Sequence, residues 1–134
     1  MDAATARRRL AEAPVGHLAT VTPEGRPHVV ACCFVLEGEN LYTAVDAKPK
    51  STPALRRLDN IRAHPPVSVL VDHYEEDWAQ LWWVRVDGTA RIVDSGAERT
   101  GALGALATKY RQYREEVPPG PVIAVEITGW RSWP

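Results

Sequence analysis

The residues best suited to chemistry in this sequence are concentrated in the segment KPKSTP at residues 48–53, and a helical pattern follows it directly. Ser51 or Thr52 is placed to cap that helix, and Lys48 and Lys50 lie just before its first turn. Free amides at a helix N-terminus attract anions, and ammonium groups with hydroxyl donors strengthen that attraction. The segment therefore predicts a phosphate-binding site. The alternative is a basic turn that only caps the helix.

The elements that must position this segment follow from the periodicity of the apolar residues. Alternating or uniformly apolar runs predict six strands, at residues 15–21, 28–36, 41–45, 67–72, 80–93 and 122–128. Helices are predicted at residues 2–13, about 52–62 and 95–116. Within these elements, TPEG at 22–25 predicts a type I turn, Gly88 a bulge, and Ser95 with Glu98 a capping box.

Six strands joined mostly by hairpins, with helices between them, predict a mainly β fold with flanking helices, built as a closed or nearly closed antiparallel barrel. The length of 134 residues is that of one domain, spanning 1–134. A Rossmann-type nucleotide site is not expected, because the sequence contains no G-x-G-x-x-G.

Composition excludes several classes of partner. The formal net charge is −1 and the basic residues are dispersed, so no duplex nucleic acid partner is expected. The apolar runs are far shorter than a membrane span, and no signal-like apolar core opens the sequence. The protein is therefore expected to be cytoplasmic and not to associate with a membrane.

Cysteine and histidine patterns do not predict a metal site. Cys32 and Cys33 are adjacent in a strand-like run, so their side chains should point to opposite faces and cannot form an ordinary structural disulfide. The acidic segment 73–77 contains ligand types, but consecutive loop residues rarely converge on one ion. A solvated acidic loop is the better interpretation.

Several short motifs occur in a distinctive order: T-x-x-G-x-P-H ending at His28, Tyr42-Thr43, KPK at 48–50, LRRL at 55–58, Asn60, Pro65 and VRVDGTA at 84–90. This order resembles that of the split-barrel flavoproteins related to pyridoxamine 5'-phosphate oxidase, and most closely that of the branch that uses the deazaflavin coenzyme F420. The resemblance extends from about residue 10 to 130 and implies a six-stranded split barrel of the FMN-binding type.

The resemblance also implies a homodimer with cofactor sites in the grooves between subunits. In flavin-using relatives an Arg-Lys pair grips the flavin phosphate, whereas the matching segment here carries Lys48 and Lys50. An arginine can bind a phosphate through two hydrogen bonds at once, whereas a lysine is a single point charge. This difference from the flavin-using relatives favours F420, with FMN as the alternative. The polyglutamate tail of F420 would suit further cations, for which Arg56, Arg57 and Arg62 are candidates or else solvated helix residues. The chain ends in GWRSWP without the C-terminal substrate-holding segment of true pyridoxamine phosphate oxidases, so oxidation of vitamin B6 is not expected.

Further cofactor-binding candidates lie on the predicted strands. Thr43 belongs to a matched motif, and His28 lies where the second strand should pass the cofactor groove, although it is also read as an ordinary strand histidine. Trp82 and Trp83 should face opposite sides of their strand, so that one could stack on a flat ring, and this role is kept for Trp78 and Trp82. The alternative places Trp82 and Trp83 in the core and in a subunit interface.

The resulting functional hypothesis is hydride transfer between the deazaflavin and a planar conjugated small molecule, with the cofactor carrying the difficult chemistry. No catalytic triad or paired catalytic carboxylates can be assembled from the sequence. Solvent, Tyr74 and His28 stay open as proton donors. The competing hypotheses are an FMN-dependent oxidoreductase and a non-catalytic split barrel that binds a cofactor or a tetrapyrrole.

Overall fold

The computed structural model describes the backbone of residues 1–45 and 52–134, and the side chains of residues 1–45 and 56–134. Its strands are β1 (Gly16–Val21), β2 (Pro27–Cys32), β3 (Val35–Glu37), β4 (Asn40–Ala44), β5 (Pro66–His73), β6 (Trp82–Val93) and β7 (Val122–Trp133). Its helices are α1 (Ala3–Glu12), α2 (Thr52–Ala63), α3 (Ala97–Lys109) and α4 (Arg111–Glu115), with a 3-10 turn at Trp78–Gln80.

The strands form one sheet in the order β2-β1-β5-β6-β7-β4-β3, and every neighbouring pair is antiparallel. The edge strands β2 and β3 are joined in the chain by only Cys33 and Phe34. Three peptide steps reach at most about 11 Å, whereas a flat sheet would separate its edges by roughly 29 Å. The sheet must therefore curl until its edges meet, which confirms the expected mainly β split barrel with flanking helices.

The structure has seven strands where six are predicted, because the run 28–36 breaks into β2 and β3. The amide of Phe34 donates to the Tyr110 hydroxyl at 3.1 Å, and its carbonyl lies 3.1 Å from the same oxygen. Both backbone groups of Phe34 are thus bound to a side chain rather than to a strand. The last strand is also longer than predicted and runs to Trp133.

Apolar side chains fill the barrel from both the strands and α1. The fully buried members include Leu10, Leu18, Phe34, Leu41, Val69, Val71, Val84, Val86, Ile123 and Val125. A second cluster lies outside the barrel wall, where Ala102, Leu106 and Tyr113 of α3 and α4 cover β4 and β7. Among the described residues, no helix packs on the outer faces of β2, β1 and β5.

The observed helix boundaries confirm the predicted N-cap of α1 and correct the predicted N-cap of α3. The Asp2 carboxylate caps α1 by accepting from the Thr5 amide at 2.7 Å. The predicted capping box at Ser95 is wrong: the N-cap of α3 is Gly96, with φ at 94° and no side-chain cap. The predicted single helix to about 116 is two helices, because Tyr110 is extended between α3 and α4.

No helix among the described residues is long and apolar enough to cross a membrane.

The predicted bulge at Gly88 is confirmed by a register shift between Asp87 and Gly88 where β6 pairs with β7. A Cβ atom at Gly88 would lie 2.3 Å from the Glu126 carbonyl oxygen and 2.8 Å from Cγ1 of Val125. Backbone lies so close here that only glycine fits.

We expect Gly88→Ala to destabilise the protein by roughly 3 kcal/mol, because either β6 or β7 must move to relieve the clash. The matched control is Gly101→Ala in α3, where a Cβ meets nothing within 4 Å. That control should raise stability by about 0.5–1 kcal/mol. Urea unfolding of both variants measures the difference, and equal effects would show that the bulge tolerates a side chain.

Glu98 of α3 ties this helix to the barrel wall. Its carboxylate accepts from Arg91 of β6 at 2.6 Å and from the Tyr42 hydroxyl of β4 at 2.8 Å. The hydrogen bond from Arg91, followed by that from Tyr42, lowers the pKa of Glu98 to about 2.

Because the pKa of Glu98 is lower in the folded state than the ordinary value of 4.5, its contribution is present above that value and is lost as pH falls toward about 2. We expect Glu98→Gln to lower the free energy of unfolding at pH 7 and to have a much smaller effect near pH 2. Urea unfolding across this pH range checks it, with Glu115→Gln as an exposed control. A Glu98→Gln penalty that does not change with pH would contradict the assignment.

Candidate functional site

A cleft of about 160 Å³ opens at the seam where the sheet edges meet. We call it the seam cleft; its lining residues are Val15, Ala31, Cys32, Cys33, Thr43, Ala44, Arg57 and Tyr113. The cleft lies between the end of β2, strand β4 and helix α2. The lysine-containing segment follows β4 and precedes α2 in the chain, so the elements on both sides of that segment form the cleft.

Thr43 closes the seam by a side-chain hydrogen bond. Its Oγ1 donates to the Cys33 carbonyl at 2.7 Å, just where β2 has ended. Tyr110 acts from the other side: its hydroxyl donates to the Pro14 carbonyl at 2.9 Å and also binds Phe34. The two contacts hold Cys33 and the start of β1 in place along the cleft.

Arg57 supplies the positive charge of the cleft. It lies on the face of α2 that carries the buried residues Leu58, Asn60 and Ile61, and its Nε atom is buried with no hydrogen-bond partner among the described residues. A buried guanidinium nitrogen without an acceptor is costly, and an anion in the cleft would satisfy it. The seam cleft therefore fits a phosphate.

Cys32 and Cys33 point to opposite sides of the barrel wall, as predicted. Cys32 packs in the barrel core, whereas Cys33 packs against the cluster under α3. Burial raises the pKa of the Cys32 thiol to about 11, although the nearby Arg57 charge acts in the opposite direction. Cys32 is therefore a neutral lining group and not a nucleophile.

The family model described as pyridoxamine 5'-phosphate oxidase matches residues 3–134. The chain belongs to the pyridoxamine 5'-phosphate oxidase family. A sequence comparison with curated proteins gives no match.

Solved structures share the fold at low sequence identity. A conserved hypothetical protein from Mycobacterium tuberculosis has a TM-score of 0.81 at 20% identity, over 99% of this chain and 84% of that one. An FAD-binding protein from Mesorhizobium loti has a TM-score of 0.75 at 21% identity, over 98% and 94%. A heme storage protein from Vibrio cholerae has a TM-score of 0.75 at 18% identity, over 96% and 92%. These similarities establish the split-barrel fold of the family.

The cofactor-binding candidates predicted from the sequence separate into several places in this family member. Lys48, Lys50 and Ser51 lie outside the described residues. Thr52 is the first residue of α2, and its side chain also lies outside the described part. Thr43 lines the seam cleft.

Arg56 is exposed, whereas its neighbour Arg57 lines the cleft. Consecutive helix residues are about 100° apart around the axis, so only one of the two can face the barrel. Sequence reasoning favoured Arg56, and the signal it missed is the buried stripe Leu58–Ile61, which carries Arg57 on its edge. Arg62, the third candidate, pairs with Asp59 at 3.4 Å.

His28 lies on β2, four residues before Cys32, which is about 13 Å along a strand. It does not line the seam cleft. Its cross-strand partner Thr20 accepts from Asn60 Nδ2 at 3.0 Å, and its own Nδ1 is buried without a partner among the described residues. His28 therefore lies on the same side of the sheet as Thr20, which binds Asn60 of α2.

Trp82 lines a different cavity, of about 420 Å³, which we call the side cavity. The Arg9 guanidinium lies 4.9 Å from the centre of the Trp82 ring, and His73 stacks against Trp82 with ring centres 6.2 Å apart. Trp83 faces the other side of β6 and lines a shallow cavity with Tyr74 and Arg85. The prediction that Trp82 and Trp83 face opposite sides is confirmed.

Lys109 is a residue that the sequence reasoning missed. Its Nζ lies 4.0 Å from the centre of the Phe34 ring and 5.2 Å from that of Tyr110. Burial lowers the pKa of Lys109 to about 8.

The described residues contain no group of three side chains able to hold a metal ion.

Proposed function

We propose that this protein binds a flavin-type redox cofactor through its phosphate at the seam cleft and transfers a hydride to a small conjugated molecule. The deazaflavin F420 is the first candidate and FMN the second. The observation that supports the proposal best is the buried Nε of Arg57, which has no hydrogen-bond partner in the part of the chain that the structure describes. Arg57 lines a cleft flanked by the elements on either side of Lys48 and Lys50.

The size of the cleft limits what it can hold. A volume of about 160 Å³ suits a phosphate and the chain next to it, but pockets that enclose a multi-ring ligand are typically about 300–1,000 Å³. The three-ring part of the cofactor must therefore extend out of the cleft, along the outer surface of the sheet. When bound and reduced, that ring system supplies the hydride, and the protein holds and orients it.

A second copy of the chain would cover the three-ring part of the cofactor where it extends out of the cleft. The outer faces of β2, β1, β5 and β6 expose apolar side chains, among them Val29 at 62% and Leu70 at 37%. Arg85 and Asp87 add both signs of charge to the same face. A two-fold axis brings one patch against itself, so apolar groups can meet and opposite charges can pair. We therefore propose a homodimer with the cofactor between its subunits.

The choice between F420 and FMN rests on the basic groups. Lysines at 48 and 50 give point charges rather than the bidentate grip of arginine, and exposed Arg56 suits a polyglutamate tail that FMN lacks. FMN, which is also a flavin, is retained because two structural neighbours are described as FAD-binding. A heme storage protein of similar fold supports the third possibility, a non-catalytic tetrapyrrole-binding barrel.

We expect equilibrium titration to give a lower dissociation constant for F420 than for FMN. Arg57→Gln, Lys50→Ala and Lys48→Ala should each weaken both cofactors about tenfold to a hundredfold, because one charge-assisted hydrogen bond is worth roughly 1.5–3 kcal/mol. Arg56→Gln should weaken F420 only. Added salt should reduce the lysine effects, since partly exposed charges are screened.

Arg8→Gln is the matched control, because Arg8 is an exposed helical arginine that lines neither the seam cleft nor the side cavity. Its affinities should equal those of the wild type. If FMN binds tenfold more tightly than F420, FMN replaces F420 as the cofactor. If Arg57→Gln and both lysine variants bind both cofactors normally, the cleft is not the phosphate site.

We expect light scattering at micromolar concentration to give twice the chain mass of 14.8 kDa. Leu70→Glu places a charge on the exposed apolar patch and should shift the protein toward the monomer while weakening cofactor binding. The control is Val117→Glu, at a residue 60% exposed beyond α4 and away from that face. A wild-type monomer that binds cofactor with full affinity would exclude the shared site.

A further inference from the structure

Helix α2 carries Arg57, so the position of that guanidinium depends on how the helix lies on the barrel. Strand β4, which comes before the lysine-containing segment, is fixed by backbone hydrogen bonds to β3 and β7. Helix α2, which comes after that segment, has no such pairing and packs on β1 and β6 through its side chains. The contacts of those side chains therefore decide where Arg57 points.

Apolar packing sets which face of α2 is buried but leaves its exact rotation loose. Leu58 and Ile61 are both buried and belong to the barrel core. Contacts between apolar side chains are non-directional, so the helix can turn by a small angle and keep most of them. A turn of about 20° moves a group roughly 7 Å from the helix axis by about 2.4 Å. Such a displacement breaks a hydrogen bond, so Arg57 needs a tighter constraint than apolar packing provides.

Asn60 makes a directional contact between α2 and the barrel. Its side chain is fully buried, and its Nδ2 donates to Oγ1 of Thr20 on β1 at 3.0 Å. Thr20 is buried as well. Water cannot replace either partner at a buried position, so a rotation that separates them leaves polar groups unpaired. The hydrogen bond between Asn60 and Thr20 therefore selects one rotation of the helix.

The amide of Asn60 is costly at its other polar atom. Its Oδ1 is buried and has no hydrogen-bond partner within the described part of the chain, and an apolar side chain in this place would avoid that penalty. A buried polar group that adds little stability but makes a directional contact can instead specify one arrangement of the elements around it. A single buried asparagine has this effect in coiled coils, where it fixes the register of the helices.

Asn60 lies one helical turn after Arg57, on the same side of α2. Side chains on a helix incline toward its N-terminus, so Arg57 extends from the turn that Asn60 holds toward the start of α2. Asn60 itself does not line the seam cleft. Its partner Thr20 is four residues along β1 from Gly16, the cross-strand partner of Cys32 in the cleft, which is about 13 Å along the strand. Any effect of Asn60 on a ligand in the cleft must therefore pass through the position of α2.

We propose that Asn60 is a positioning residue for the phosphate site: its hydrogen bond to Thr20 sets the rotation of α2 and thereby places Arg57 in the seam cleft. The proposal rests on the proposed function. It assigns to Asn60 a share of the affinity for the phosphate group and none of the affinity for the rest of the cofactor.

Titrations with FMN and riboflavin test this role, because the two molecules differ only in the phosphate. The ratio of the riboflavin dissociation constant to that of FMN measures what the phosphate contributes. Asn60→Ala should lower this ratio roughly threefold to tenfold, which is part of what one charge-assisted hydrogen bond supplies. Its riboflavin affinity should stay close to that of the wild type.

Substitutions of Thr20 test the same hydrogen bond from the other side and do not depend on how well Asn60→Ala folds. Thr20→Val keeps the shape of the side chain, removes the acceptor, and should lower the ratio as Asn60→Ala does. Thr20→Ser keeps the hydroxyl and should preserve the wild-type ratio. Tyr42→Phe is the control for a lost hydrogen bond elsewhere, since the Tyr42 hydroxyl binds Glu98 in the cluster outside the barrel wall. It should lower stability without changing the ratio.

A double variant tests whether Asn60 acts through Arg57. In the Arg57→Gln background, Asn60→Ala should lower the ratio no further, because the group that it positions has been removed. A further loss of the same size as in the wild type would overturn the route through Arg57.

The remaining outcomes separate this role from the phosphate site itself. A wild-type ratio in both Asn60→Ala and Thr20→Val, or equal losses of FMN and riboflavin affinity, would overturn the positioning role and leave the phosphate site intact. A wild-type protein that binds FMN no more tightly than riboflavin would overturn the phosphate site, and the positioning role with it.

Discussion

The connection of β2 to β3 through Cys33 and Phe34 is the constraint on which the rest of this structure depends. These strands are the two edges of the sheet, and two residues cannot join them unless the sheet curls into a barrel. At the joint the strand hydrogen bonds stop, and side chains replace them: Tyr110 binds both backbone groups of Phe34, and Thr43 binds the Cys33 carbonyl. The seam cleft is the space left by this break in pairing.

The seam cleft and the side cavity are lined by different chemical groups. In the cleft, the Arg57 Nε has no acceptor among the residues that the structure describes, and the nearby Cys32 thiol is buried and neutral, so the lining suits an anion and does not supply a nucleophile. The side cavity is instead lined by the Trp82 ring, by the Arg9 guanidinium that lies over it, and by two carboxylates and two imidazoles. Val15, which immediately precedes β1, lies in the walls of both spaces.

Sequence patterns predicted the structure correctly where it depends on residues that are close together in the chain. The Asp2 cap, the turn from Thr22 to Gly25, and the bulge at Gly88 each depend on residues close in sequence or on the absence of one side chain. Predictions failed where a distant group intervened. The apolar run 28–36 reads as one strand, but Tyr110, 76 residues after Phe34, ends the pairing. The long helix after residue 95 divides because the same Tyr110 is extended and held at the seam.

The sequence by itself determined the mainly β character, the curled barrel with flanking helices, the family likeness, and the presence of a basic segment before α2. The fold class and the basic segment follow from periodicity, turn chemistry and residue type along the chain, and the family likeness follows from the order of short motifs. The tertiary structure decided which candidates share a space: Thr43 and Arg57 do, whereas His28 and Trp82 lie in two other places. The alternation of a strand predicts which side of the sheet a side chain faces. Only the closure of the sheet into a barrel determines which residues of other elements that side chain meets. Arg57 rather than Arg56 enters the cleft because helix packing against β1, set by Leu58 and Ile61, fixes the rotation of α2.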